Sequence, residues 1–252
     1  MSLDKLVESH YDQLNEIDLY IWQYILHHKR ECQKISIHEL AQECNVSHTS
    51  ILRFTKKIGL DGFSELKVYI KWDLSKKSEF TPQIIDAACS GLIETIEDMK
   101  NADFTSIFDK INQAERVFIY GTGTVQNHMA KELKRNFLFS NKVLQIVGDG
   151  IEIDAILNNA TEQDFFIIIS LSGDNEEAVT LARALRGLHI PRMGIAKSSY
   201  CLLSKYCDEM ITFKYEDFKL GTADLQYGST AHFFIIADLL FLKYLEYLHE
   251  QK

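Results

Sequence analysis

The chain has 252 residues, 46% of them apolar, and a net charge of −9 at pH 7; that is enough for one large or two modest domains with real cores, and too acidic for nucleic-acid binding by the whole surface. Five cysteines (Cys32, Cys44, Cys89, Cys201, Cys207) without a Cys-x-x-Cys pair argue against a disulfide framework and a zinc site, and fit reduced thiols in a cytoplasmic protein. The most apolar stretch, Ala231 to Leu248, is interrupted by Asp238, Lys243 and Glu246 and falls short of the roughly 18 unbroken apolar residues of a membrane helix, while polar residues around Asp4 do not read as a targeting segment.

Residues 1–74 have helical period throughout. Leu3, Leu6 and Val7 are spaced for a short helix, and Asn15 with Asp18 caps a second in which Ile17, Ile21, Tyr24 and Ile25 share a face. Ser36-Ile37-His38-Glu39 has capping-box spacing and opens a helix through Cys44, stopped at Asn45, a residue that tolerates left-handed backbone. Ser47 then caps a helix to Ile58, with Gly59 as its stop. Two short helices about a tight turn are a helix-turn-helix arrangement, with Ala41 small at the crossing and Val46, Ile51 and Phe54 apolar toward the first helix. Ser47, His48, Thr49, Ser50, Arg53, Lys56 and Lys57 are left on or near the outward face, as candidates to read base edges and phosphates of duplex DNA. Charge supports this: residues 1–79 are nearly neutral, whereas residues 51–77 hold seven basic side chains, Lys76 and Lys77 among them, against three acidic ones. The competing reading is a surface helix that is basic for solubility alone.

The run from Val46-Ser47 through Arg53-Phe54, Lys56-Lys57-Ile58-Gly59 and Gly62-Phe63 to Lys67 resembles the N-terminal domain of the RpiR (MurR) family of bacterial transcriptional regulators, over about residues 1–77. The resemblance implies an all-α DNA-binding domain. Ser75 to Pro82 is polar and proline-broken, which places a domain boundary there, and Gln83 to Lys100 reads as a connecting helix with Ile84, Ile85, Ala88, Leu92, Ile96 and Met99 apolar.

From there strand and helix patterns alternate. Val117–Tyr120, Val143–Val147, Phe165–Ser170, Met193–Ala196 and Met210–Phe213 are predicted strands with helical patterns between them, which implies a parallel sheet covered by helices, with ligands held beyond the C-terminal strand ends. Two such ends carry glycine and hydroxyls: Gly121-Thr122-Gly123-Thr124, and Ser170-Leu171-Ser172-Gly173-Asp174-Asn175 before a helix start at Glu176. Unpaired N–H groups and the helix dipole make such a turn an anion cradle. Ser170 and Ser172 could equally serve turn chemistry and capping. Gly121-x-Gly123 is not a dinucleotide fingerprint, because Gln126 stands at the third glycine and Asp149 is the one acid near the expected distance. No cofactor and no metal are expected.

Together the two turns resemble a SIS (sugar isomerase) domain over about residues 103–213, which implies a five-stranded flavodoxin-like α/β module that binds phosphorylated sugars. By that resemblance Gly121, Thr122, Gly123, Thr124, Ser170, Ser172, Gly173 and Asn175 are the ligand-binding residues. The sequence departs from the pattern at Val125, where a serine is common, and at Asn175, where a threonine is common; Asn175 can still donate hydrogen bonds and Val125 cannot. The last helix, about Ser229 to Leu248, is apolar nearly all round and needs burial against the sheet or a second subunit, with part of it assigned to a subunit interface. The expected organisation is thus a helix-turn-helix domain (1–77), a linker and connecting helix (78–102) and a phosphosugar-binding domain (103–252). The function expected is a cytoplasmic, homodimeric or homotetrameric regulator of carbohydrate genes with operator DNA and a sugar phosphate as partners. The alternative is an aldose–ketose phosphate isomerase, with His128, Glu132, Glu176 or Glu177 as its base.

Overall fold

Side-chain caps cut the N-terminal part of the chain into short helices. The computed structural model describes residues 3–75, 83–148, 150–220 and 225–251, and the chain divides into two units, residues 1–78 and 79–252. Lys76, Lys77, Pro82 and Asp149 lie outside the described residues. In the first unit α1 (Leu3–Ser9) and a 3-10 turn at Tyr11–Gln13 precede α2 (Glu16–His27). Asn15 Oδ1 accepts from Asp18 N–H and Asp18 Oδ2 accepts from Asn15 N–H, both at 2.9 Å. A short α3 (Lys29–Cys32) leads to α4 (Ile37–Glu43), where Ser36 and Glu39 form the reciprocal box. Asn45 has φ 50° and turns the chain into α5 (His48–Lys57). Gly59, at φ 80°, ends that helix before α6 (Phe63–Ser75). Ile21, Ile25, Leu40, Ile51, Phe54, Ile58, Leu66 and Ile70 form the core. Ile17 is not part of it and stands 52% exposed, because the buried stripe of α2 is centred on Asp18, Ile21, Trp22 and Ile25, about a quarter turn away.

The second unit begins with α7 (Gln83–Asn101) and α8 (Thr105–Gln113). Then come β1 (Arg116–Gly121), α9 (Thr124–Leu138), β2 (Leu144–Val147), α10 (Ile151–Leu157), β3 (Asp164–Ile169), α11 (Glu176–Gly187), β4 (Arg192–Ala196) and β5 (Glu209–Thr212). The five strands pair in parallel in the order β2-β1-β3-β4-β5. Alternate residues of β1 and β3 feed two cores: Val117, Ile119, Phe165, Ile167 and Ile169 pack under α8, α9 and the last helix, while Phe118, Tyr120, Phe166 and Ile168 pack under α11. Burial on both faces is why these strands are continuous apolar runs. After β1 the chain steps outward to β2 and returns on the other side as β3, so the order reverses between the two central strands.

Two connections differ from the sequence reading. The link from β4 to β5 has no α-helix, only a 3-10 turn at Leu203–Lys205, since Ser198 to Cys201 lacks helical period. An antiparallel hairpin, β6 (Phe218–Leu220) and β7 (Leu225–Tyr227), follows β5; its strands are too short to show alternation. Last comes α12 (Ala231–Glu250), which buries His232, Phe233, Ile236, Ala237, Leu240, Phe241, Tyr244 and Tyr247 inside the unit and leaves Phe234, Leu242 and Leu245 exposed. Burial is therefore one-sided rather than nearly all round. No helix of the described residues is long and apolar enough to cross a membrane.

Candidate functional site

In the first unit the polar face of α5 is separated from the core by the helical period. Ile51 and Phe54 are fully buried, while His48, Thr49, Arg53 and Lys56 are exposed. Ser47 Oγ accepts from Ser50 N–H at 3.1 Å and lies 2.9 Å from Ser50 Oγ, so both hydroxyls cap the helix end that those residues occupy. Lys57 does not share that face. Its Nζ pairs with the buried carboxylate of Asp18 on α2, fastening α5 to the helix before it.

In the second unit the two predicted turns come together where the strand order reverses. Thr122 N–H donates to Ile169 O at 3.0 Å, joining the end of β1 to the end of β3. Each turn leads into a helix N-terminus, α9 on one side and α11 on the other. Gly121 is a packing necessity: a Cβ there would lie 2.7 Å from the backbone carbon of Gln126 and 2.9 Å from the amide nitrogen of Asn127. Gly173 has φ 74°, and a Cβ on it would stand 2.3 Å from Cys201 Sγ. That turn is also stapled from outside, by Leu202 N–H to Asp174 Oδ1 at 2.8 Å and Leu203 N–H to Gly173 O at 2.9 Å. Burial pushes the Cys201 thiol up to about 12, which makes it packing rather than a nucleophile.

The hydroxyls of the β3 turn are locally engaged, Ser170 from a site 1% exposed and Ser172 from a half-buried one. Ser170 Oγ accepts from Gly173 N–H at 3.2 Å, Ser172 Oγ from Asp174 N–H at 3.1 Å, and Asn175 Oδ1 from Ala178 N–H at 3.0 Å. In each the oxygen is the acceptor, so these bonds leave the serine hydroxyl protons and the Asn175 amide protons unused. The turn-chemistry reading and the ligand reading therefore coexist on the same residues. Val125 and Leu171 pack against the hydrophobic core, which places the non-serine residue at 125 among apolar neighbours. Thr124 is exposed and Thr122 half-buried.

Side chains that the sequence did not single out lie beside these turns. The Tyr120 hydroxyl donates to Glu177 Oε2 at 2.8 Å, from a ring fully buried beneath the β1 end. Lys197, at the end of β4, donates its N–H to Leu171 O at 2.9 Å, and its Nζ lies 3.4 Å from Asp217 Oδ2. Of the candidate bases, Glu177 is thus tied to Tyr120. Glu132 is held by Arg135, whose guanidinium keeps its carboxyl below the usual range. His128 and Glu176 are exposed.

Comparison with known proteins places this geometry. Residues 1–77 match the helix-turn-helix domain of the rpiR family, and residues 110–231 match the SIS domain. The HTH-type transcriptional regulator GlvR of Bacillus subtilis is 31% identical over the whole of this chain and 98% of its own length. The chain belongs to the RpiR family of transcriptional regulators. As an RpiR-family protein it pairs an N-terminal DNA-binding domain with a C-terminal SIS domain. In fold it is similar to the Vibrio vulnificus NanR protein, solved in complex with ManNAc-6P (TM-score 0.55, 19% identity, covering 97% of this chain and 94% of that one). Its SIS region is also similar to a hypothetical protein of Methanococcus jannaschii for which a 3-hexulose-6-phosphate isomerase function was inferred (TM-score 0.53, 18% identity, covering 66% and 92%). At these identities the likenesses carry the fold and no ligand.

Proposed function

We propose that this RpiR-family regulator is a cytoplasmic sensor of a phosphorylated sugar that controls genes of carbohydrate uptake or metabolism. The observation that carries the reading is the meeting of the two hydroxyl- and glycine-bearing turns at the β1–β3 reversal, each opening onto a helix N-terminus. The phosphate sits against Ser170, Ser172, Gly173 and Asn175, whose remaining protons point to an acceptor-only group, and Gly121 to Thr124 line the opposite wall. In the first unit Ser47, His48, Thr49, Ser50, Arg53 and Lys56 meet operator DNA, and Lys57 serves the scaffold. The organisation read from the sequence is kept: a DNA-binding domain over 1–77, a linker with connecting helix over 78–102, and the sensor over 103–252, a reading supported by family matches over 1–77 and 110–231.

The protein acts as a homodimer or homotetramer, a reading supported by exposed Ile85 and Ile93 on α7 and Leu242 on α12. Effector binding changes DNA affinity only by the difference in ligand affinity between two arrangements of the subunits. An enzymatic role is disfavoured by the engagement of Glu177 with Tyr120 and of Glu132 with Arg135, and by a DNA-binding domain for which an isomerase has no use. The test is a thermal-shift screen of phosphorylated sugars on the full chain, because a ligand at 100 times its Kd adds about 2.7 kcal/mol of stability. Ser172→Ala is expected to keep operator binding and lose the response to the sugar that scores; joint loss of both would show the turn to be structural. Aldose–ketose phosphate turnover by the purified protein would overturn the sensor reading.

A further inference from the structure

Gln126 is the third residue of α9, at the position where the sequence interrupts a glycine pattern. Gln126 is 9% exposed, and among the described residues no hydrogen bond engages its carboxamide; since none of the buried side-chain polar atoms there lacks a partner, the unengaged amide atoms are the part of the residue that stays open to solvent. With its stem buried and its amide open, the side chain is placed to hydrogen-bond a group that enters beside the β1 end. The carboxamide lies over Gly123, the N-cap residue of α9: a Cβ on Gly123 would stand 2.9 Å from Gln126 Oε1. Gly123 supplies no side-chain cap, so the same turn presents the opening N–H groups of a fifteen-residue helix. The bare glycine is thus the space that the carboxamide fills. Val125, the neighbouring position, is packed on the core and offers no donor.

We propose that Gln126 is the specificity-determining ligand of the crevice, reading a hydroxyl of the sugar while the β3 turn holds the phosphate. This rests on the sensor reading above and deepens it. The chemistry follows from valence. A phosphate oxygen only accepts, and the serine hydroxyls, the Asn175 amide and backbone N–H groups of the β3 turn suit it. A carboxamide both donates and accepts, which matches a sugar hydroxyl, itself donor and acceptor. A site that hydrogen-bonds a substrate hydroxyl discriminates strongly against analogues lacking it, since its buried polar group is otherwise left unpaired.

The test is the Kd of inorganic phosphate, glucose 6-phosphate, fructose 6-phosphate and mannose 6-phosphate for the full chain, by titration calorimetry, with Gln126→Met as a near-isosteric variant without hydrogen-bonding groups. The expected result is a loss of about tenfold to a hundredfold for the preferred hexose phosphate, with inorganic phosphate unchanged and the ranking among the sugars flattened. Gly123→Ala, whose Cβ displaces the carboxamide, should flatten the ranking in the same way. Gln126→Glu keeps the shape and loses the donors; it serves should the Met variant fail to fold, and is expected to weaken all four anions, the hexose phosphates most. An unchanged ranking in the Met variant, or an equal loss for inorganic phosphate and every sugar, overturns the assignment. If Ser172→Ala abolishes binding while the Gln126 variants keep the wild-type ranking, the sensor reading stands and the role of Gln126 falls. If wild type binds none of the four, the same variants are titrated with the phosphorylated sugars that score in the thermal-shift screen, and a blank screen overturns both readings.

Discussion

Replacing Gly121 with alanine should cost far more than the same change two residues on. At Gly121 the added methyl carbon would meet backbone on the helix side, 2.7 Å from Gln126 C and 2.9 Å from both Gln126 O and Asn127 N. None of these atoms can rotate away, so the first turn of α9 must lift from the sheet by several tenths of an ångström. It would carry with it a packing face that includes Met129, Leu133 and Phe137. Overpacking of that kind costs about 1–3 kcal/mol, and rigid backbone places this case at the upper end; loss of unfolded-state entropy returns about 0.4–1 kcal/mol. The net expectation is about 2 kcal/mol, a fall of about 4–8 °C in Tm for a unit of this size. At Gly123 the methyl meets only Oε1 of a flexible side chain, at extended φ −167°, and the expected cost is within about 0.5 kcal/mol. Both tryptophans, Trp22 and Trp72, are in the first unit, so unfolding of the second must be followed by far-UV circular dichroism. Equal costs at the two glycines would refute the reasoning, because they would mean that α9 yields as readily as a side chain.

Other expectations follow from single contacts. Arg53→Ala should weaken operator binding by about 1–3 kcal/mol if the exposed guanidinium reads a base, as in direct groove readout; an unchanged titration at matched salt removes it from the interface. Asp164 is buried at the start of β3 and takes Arg116 Nε at 2.8 Å and Thr161 N–H at 2.8 Å. Burial opposes its ionisation, yet Arg116 and Thr161 outweigh it and hold the carboxyl below its usual range. Its stabilisation is present above about pH 4 and lost as pH falls through the lowered value; Asp164→Ala should cost about 3 kcal/mol at pH 7 by urea unfolding, and a cost under a third of that refutes the pair's role. His232 is buried between Thr95 and the Phe213 ring, with Nδ1 2.9 Å from Thr95 Oγ1. The Thr95 proton goes to Gly91 O, so the imidazole N–H donates to Thr95, and burial pushes its pKa below the ordinary value. Tyr215, Lys214 and Glu216 are the titratable residues beside it. The unfolded chain therefore takes the proton first, so stability is full above about pH 6.5 and erodes as pH falls below it. His232→Phe should flatten that part of the pH–Tm curve, and an identical slope in the variant excludes this histidine as the cause.

Much of the molecule is dictated locally and was legible in the chain. The Asn15–Asp18 and Ser36–Glu39 boxes, Asn45 and Gly59 in left-handed backbone, and the apolar runs of β1 and β3 each follow from interactions within four residues or from burial on both faces. The two crevice turns were legible for the same reason, since strand, hydroxyl-rich turn and helix start are consecutive. What only the tertiary structure decided is which side chains those elements bring together from a distance. Lys57 and Asp18 are 39 residues apart, and Tyr120 and Glu177 57 apart. No local pattern announces that a lysine pairs with a buried carboxylate, or that a candidate base is already hydrogen-bonded. Gln126 is a different case: in sequence it only interrupts a glycine pattern, and the packing of the surrounding elements is what leaves the residue 9% exposed with its Oε1 over Gly123. Local propensity acts through a few neighbouring dihedral angles, whereas the pairing of a buried polar group depends on every element that closes around it.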